Sequence, residues 1–190
     1  EILPSVYGQI HQHLFCARLD MALDGPDNTV IEVNTVVDGL GPDNPYNNSY
    51  YAVETPLLTE KAARRRSEPD THRFWKIVNP GSTNRLGKAR GYKLVAHSAI
   101  AECGAAGSQL DLRGGFTRNH IWVTPTSRDE RWPAGDYVNQ SSAGEGLPAW
   151  TEADRPVANR PITVWHSFGH HHIVRPEDFP VQPAVGCGFM

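Results

Sequence analysis

The chain has 190 residues, 39% of them hydrophobic, and a formal net charge of −3 at neutral pH. That length supports one sizeable core, and the mildly negative charge argues against a nucleic-acid or anionic-membrane partner. No apolar run approaches a membrane span, no leader is visible, and the first residue is Glu1 rather than Met, so localisation stays open.

Residues 10–24 read as a β-strand. Successive side chains on a strand face opposite ways. His11, His13, Phe15, Ala17, Leu19, Met21 and Leu23 therefore share one face, with Gln12, Arg18, Asp20 and Asp24 on the other. The first face is expected to enter a core and to carry two imidazoles with it. A buried neutral histidine needs partners for both ring nitrogens. One reading is a metal ion that takes a nitrogen from each ring; the other is a pair of packed histidines bonded to backbone groups. Asp24-Gly25-Pro26-Asp27-Asn28 is a dense turn signal, and the alternating run Thr29–Val37 that follows suggests a β-hairpin with the first strand.

Residues 38–49 are rich in Gly, Pro, Asn and Asp and read as a long exposed loop. A strand is expected over 50–58, with Pro56 at its end or on an edge. Residues 59–69 have helix character, about two turns, and the Arg64-Arg65-Arg66 triplet reads as a solvated face. Strands are expected over 71–78 and 91–97, separated by a turn at Asn79-Pro80-Gly81, and over 119–124, stopped by Pro125. Residues 98–115 read as irregular and 126–160 as loop, with Trp132 and Trp150 available to cover a core edge or a partner.

The last informative run is Ile162–His172, whose even positions are Ile162, Val164, His166, Phe168, His170 and His172. Histidines again share a face with bulky apolar side chains. Gly169 can break the alternation, so periodicity does not choose among His170, His171 and His172. His97 has no partner in view and reads as a satisfied or exposed histidine. Cys16, Cys103 and Cys187 make no disulfide framework, and none lies in a Cys-x-x-Cys pair. Cys16 reads as a small buried residue. Asn47-Asn48-Ser49 and Asn139-Gln140-Ser141 fit the glycosylation tripeptide, which matters only in a secreted eukaryotic protein.

Short strands separated by Pro/Gly/Asn turns, with almost no helix, indicate an all-β antiparallel β-sandwich. In such a fold His11 and His13 can meet one histidine of the 170–172 cluster. Three imidazoles suit copper, zinc, iron or nickel, and they leave a coordination position open.

His11-Gln12-His13-Leu14-Phe15 through Arg18-Leu19-Asp20 resembles the His-x-His copper strand of copper amine oxidases. His172-Ile173-Val174-Arg175-Pro176-Glu177-Asp178-Phe179-Pro180 resembles that family's distal copper-ligand segment. Between them Asn79-Pro80, Asn84-Arg85-Leu86, Gly91-Tyr92-Lys93-Leu94 and Gly135-Asp136-Tyr137-Val138-Asn139-Gln140 also match in order and spacing. The bacterial phenylethylamine, tyramine and histamine oxidases are the members it resembles most. The resemblance implies copper held by His11, His13 and His172, with His166, His170 and His171 as bystanders. It also implies a topaquinone cofactor made from a tyrosine, oxidation of primary amines by dioxygen to aldehyde, ammonia and hydrogen peroxide, and a homodimer with β-hairpin arms. Residues 38–49 or 126–140 could contribute to such arms.

The family's quinone-forming tyrosine lies in Asn-Tyr-Asp/Glu, upstream of His-x-His, and its catalytic aspartate lies further upstream. None of Tyr7, Tyr46, Tyr50, Tyr51, Tyr92 and Tyr137 has that context. Residues 1–190 therefore read as part of a single β-sandwich catalytic domain, truncated at both ends and expected to be inactive alone. A peripheral cation site found in many members keeps Asp20, but Ala22 and Pro161 stand at its other carboxylate positions, so it is expected to be lost. A metal-binding β-sandwich module without catalysis is the alternative function, and a sandwich with merely packed histidines is the third reading.

Overall fold

Runs of Val, Ile, Thr and aromatic residues alternate with turn clusters along the chain, and the strands form where the alternation is cleanest. The computed structural model describes residues 4–96, 98–137, 142–178 and 188–189. In chain order these contain β1 (His11–Asp20), β2 (Thr29–Val37), β3 (Tyr50–Pro56), β4 (Phe74–Thr83), β5 (Ala89–Val95), α1 (Gln109–Arg113), β6 (Ile121–Pro125), α2 (Leu147–Trp150), β7 (Ile162–His172) and β8 (Gly188–Phe189). His97, Cys187, Asn139-Gln140-Ser141 and Phe179-Pro180 lie outside the described residues. No described helix is long and apolar enough to cross a membrane.

The strands form two antiparallel sheets, one in the order β1-β7-β6 and the other β3-β2-β4-β5-β8. Val30, Trp75, Ile77 and Leu94 of the larger sheet meet Ile121, Val123, Ile162 and Val164 of the smaller one in a single cluster, which is the core of the sandwich. Each such side chain contributes roughly 1.5–3 kcal/mol by leaving water. The smaller sheet is covered on its other face as well. There Trp122, Leu147 and Trp165 pack together, with Cys16, Phe116 and Trp150 against them. α2 supplies that cover, so Trp150 serves the core while Trp132 is 51% exposed.

Several expectations are corrected. β1 and β2 do not form a hairpin; they belong to different sheets, because β1 pairs along its whole length with β7. Over 59–69 there is a single turn, Ala63 N–H to Thr59 O at 3.0 Å, and no helix. β4 runs through Asn79-Pro80-Gly81 with a register irregularity between Asn79 and Thr83. The chain reverses later, where Asn84 N–H meets Lys88 O at 2.8 Å. α1 interrupts the irregular stretch 98–115, its first turn capped by Ser108 accepting from Asp111 N–H.

The basic triplet is not a solvated face. Arg64 donates to Thr151 Oγ1 at 3.0 Å and Glu152 Oε1 at 2.7 Å, and Arg66 donates to Arg118 O at 3.3 Å. Arg65 and Arg73 reach buried Glu32 at 3.2 and 3.4 Å, and Trp75 Nε1–H donates to the same carboxylate. A second buried acid, Glu60, accepts the Arg155 guanidinium at 2.6 Å and the Arg155 backbone N–H at 2.7 Å. Arg155 also donates to Glu130 at 2.6 Å, and this double pairing raises its pKa. These cages tie the 59–69 segment to the 151–155 segment. Arg155→Ala leaves Glu60 buried without its cation, which costs about 3 kcal/mol. Urea denaturation reads that loss as a lowered midpoint; an unchanged midpoint would contradict the cage.

Candidate metal centre

The site is built by the end of the β1–β7 ladder. Its register sets His11 opposite His172, Gln12 opposite His171, His13 opposite His170, Leu14 opposite Gly169 and Phe15 opposite Phe168. Pairing is unbroken through Gly169, so the alternation the sequence left open is settled. Directly opposed residues project from the same face. His11, His13, His170 and His172 therefore share one face, and Gln12 and His171 share the reverse. The first face continues along the strands to Leu19 and Val164, which join the core. At the histidine end it is not buried as the sequence pattern led one to expect: Phe15 is 45% exposed and His11 is exposed. The apolar side chains of the larger sheet meet Ile162 and Val164 but not this end of the ladder.

His11 Nε2 lies 2.8 Å from His13 Nε2 and 3.3 Å from His172 Nδ1, and the three donor atoms all lie within 4.8 Å of one another. Two nitrogens bound to one first-row ion at about 2 Å stand about 3 Å apart, so this donor set fits such an ion. The tautomer of His11 agrees. Its Nδ1–H donates to Gln9 O at 2.8 Å, which leaves the Nε2 lone pair free toward the other two rings. The pKa of His13 is lowered, first by burial and then by repulsion from His11, His170 and His172, so the neutral form that can ligate is favoured. Among the described residues these three histidines are the one group of metal-ligating side chains so arranged.

The reverse face is fastened down. Gln12 donates to Ala101 O at 2.9 Å and accepts from Cys103 N–H at 2.7 Å, while its amide nitrogen stands 3.2 Å from His171 Nδ1. Residues 101–103 thus back the strand pair that carries the three histidines. Gly169 admits the close approach in front of them, since a Cβ there would collide with the His13 carbonyl.

His166 is fully buried away from the trio; its Nδ1–H donates to His120 O at 3.0 Å. His120, which sequence reasoning passed over, is also buried. It accepts from Ser67 N–H at Nδ1 and donates from Nε2 to Ile100 O. Cys16 sits against the second aromatic cluster, where burial pushes its thiol up to about 12, as suits an inert packing residue. At the far end of β1, Asp20 pairs with Arg18 at 3.1 Å and accepts from Thr163 Oγ1–H at 2.7 Å.

Residues 1–190 match the copper amine oxidase enzyme domain. A histamine oxidase of Arthrobacter globiformis is 41% identical over 189 residues, covering 100% of this chain and 28% of that protein. Copper amine oxidase 1 of Schizosaccharomyces pombe is 42% identical over 196 residues, covering 97% of this chain and 27% of its own length. Among solved structures, a copper-containing benzylamine oxidase from Hansenula polymorpha superposes with a TM-score of 0.83 at 32% identity, over 92% of this chain and 28% of that one. The chain belongs to the copper amine oxidase family. It spans roughly a quarter to three-tenths of the length of these relatives.

Burial lowers the pKa of both His120 and His166. An unfolded histidine titrates near 6.5, so the unfolded chain binds protons that the folded one refuses. The stability tied to these two rings is present above about pH 6.5 and is lost as pH falls toward their folded pKa values. In the metal-free protein the urea midpoint should fall steadily from pH 7 toward pH 5; a flat midpoint across that window would refute the neutral assignment.

Proposed function

We propose that this chain is the copper-binding part of a primary-amine oxidase, with His11, His13 and His172 as the three protein ligands. The observation that carries this reading is the convergence of Nε2 of His11, Nε2 of His13 and Nδ1 of His172 in a chain of this family. The three rings would hold the ion at the end of a two-strand ladder, and their partial exposure leaves room for a further ligand. When bound, copper and topaquinone supply the redox chemistry that takes a primary amine and dioxygen to aldehyde, ammonia and hydrogen peroxide. What this chain's own residues do is narrower. β1 and β7 set the ring positions, Gln9 O fixes the tautomer of His11, and the Gln12–Cys103 bond steadies the strand from behind.

None of the six tyrosines is preceded by Asn and followed by an acid. We therefore assign the quinone precursor and the proton-abstracting carboxylate to other parts of the catalytic domain, of which residues 1–190 are a portion that is inactive alone. That same observation keeps one other reading in view, a metal-binding sandwich module without catalysis.

The homodimer arm belongs to this reading too. The β2–β3 hairpin carries an exposed apolar tip in which Val37, Leu40, Tyr46 and Tyr50 are each more than 70% exposed. Such a patch needs a partner surface, and a second copy of the protein is the partner we assign.

Equilibrium dialysis of the metal-free protein should give one tightly held copper per chain, and His13→Ala or His172→Ala should abolish it. Copper retained by both variants would overturn the ligand assignment. In the whole protein, copper and air should raise a quinone absorption that bleaches on adding a primary amine; copper binding without that band would favour the module. Shortening the loop between β2 and β3 in the whole protein should weaken the dimer, read by sedimentation, and an unaltered dimer would place the interface elsewhere.

A further inference from the structure

His170 shares the ligand face but does not belong to the trio. It is the direct cross-strand partner of His13, and the two rings stack with centroids 4.7 Å apart and planes 15° from parallel. The ring is held where it is by the unbroken ladder on either side of Gly169, whose missing side chain lets β1 and β7 close together at this point. Its own Nδ1 is buried and has no hydrogen-bond partner among the described residues, so the ring is kept in place by packing and not by a polar contact of that atom.

The two histidines of β1 are restrained differently. His11 is oriented by the bond from its Nδ1–H to Gln9 O. His13 has no such anchor among the described residues; His11 and His172 approach its ring tilted, at 4.6 and 5.7 Å between centroids, and the rings that lie parallel to it are His170 and, more distantly, Phe15, stacked at 6.3 Å and 9°. The torsion that turns an imidazole about its Cβ–Cγ bond is soft, so without a neighbour the Nε2 lone pair of His13 would sweep away from the point it shares with His11 and His172. A ligand whose outer support is left loose gives a loose site.

We propose that His170 is a positioning residue: its ring fixes the plane of His13 and so aims His13 Nε2 at the metal position. This rests on the copper reading above. The shape and flatness of the ring do the work, so an aromatic hydrocarbon of similar size should replace it, whereas an aliphatic side chain should not.

The test compares His170→Phe, His170→Leu and His13→Ala with the parent in the whole protein, stripped of metal and kept anaerobic. Copper(II) affinity is read by competition with a chelator, and coordination by the nitrogen hyperfine pattern in electron paramagnetic resonance. His170→Phe should match the parent in both. His170→Leu should bind about tenfold or more weakly, with broadened copper lines but the same number of coupled nitrogens. Parent-like affinity and lines in His170→Leu would overturn the proposal. If both variants lose affinity and one nitrogen coupling, His170 is a ligand, and the positioning role is equally wrong. Failure of the parent to bind copper, or parent-like binding by His13→Ala, would instead sink the ligand assignment itself. Near-ultraviolet circular dichroism of the metal-free variants checks that each is folded.

Discussion

The antiparallel pairing of β1 with β7 sets His11 opposite His172 and His13 opposite His170, and the rest of the centre follows from that register. A slip of one residue would carry every side chain of β1 to the other face. The histidines would then turn to the reverse side of the sheet, where Gln12 meets residues 101–103. The apolar end of the ladder guards against this. Leu19 packs on the main core and Cys16 on the second cluster, so the two faces of β1 are told apart several residues away from the histidines. The register that aligns the imidazoles is thus set by ordinary hydrophobic packing some distance away.

Buried charge does a related job in the connections. Glu32 and Glu60 are both nearly inaccessible; Glu32 is met by Arg65 and Arg73 and Glu60 by Arg155, all from segments remote in sequence. A carboxylate so placed tolerates few arrangements of its neighbours, because any that withdraws the guanidinium leaves the charge unpaired. The long connections of this domain have little regular structure to define them. They are fixed by such contacts, by the Arg64 bonds to Thr151 and Glu152, and by backbone bonds such as Glu60 N–H to Arg155 O.

The alternating runs gave β2 and β7 directly: both strands coincide with the stretches read from the sequence, because period-two patterning is a local property. The all-β sandwich class followed from the same patterning. Strand pairing is not local. Nothing between Ile10 and Val37 says that β1 leaves its neighbour to pair with a segment near the other end of the chain, so the expected hairpin was a reasonable error. The arginine triplet misled for a similar reason: its partners, Glu32 and Glu152, lie far off in sequence. One clue was available, since Glu32 interrupts an otherwise apolar strand and a lone acid in such a place asks for a cation. It is the resemblance alone that makes His170 a bystander. Uninterrupted alternation through Gly169 would have placed it on the face of His172, but whether a glycine interrupts a strand depends on the chain it faces.

His11 opens β1 and His172 closes β7, and they stand 161 positions apart in the chain. An ion held between them would therefore act as a crosslink around most of the polypeptide. Strand ends ordinarily fray, and a tie at this end would suppress opening where the ladder has least support from the core. It would also forbid the disordered chain many of its conformations for as long as the ligands stayed attached. The cost of closing a loop grows only with the logarithm of its length, yet a loop of this size lies at the favourable end of that scale. Metal loading and the mechanical integrity of the sandwich would then be one property: stripping the ion would loosen amide protons first at the paired ends of β1 and β7, and inward from there.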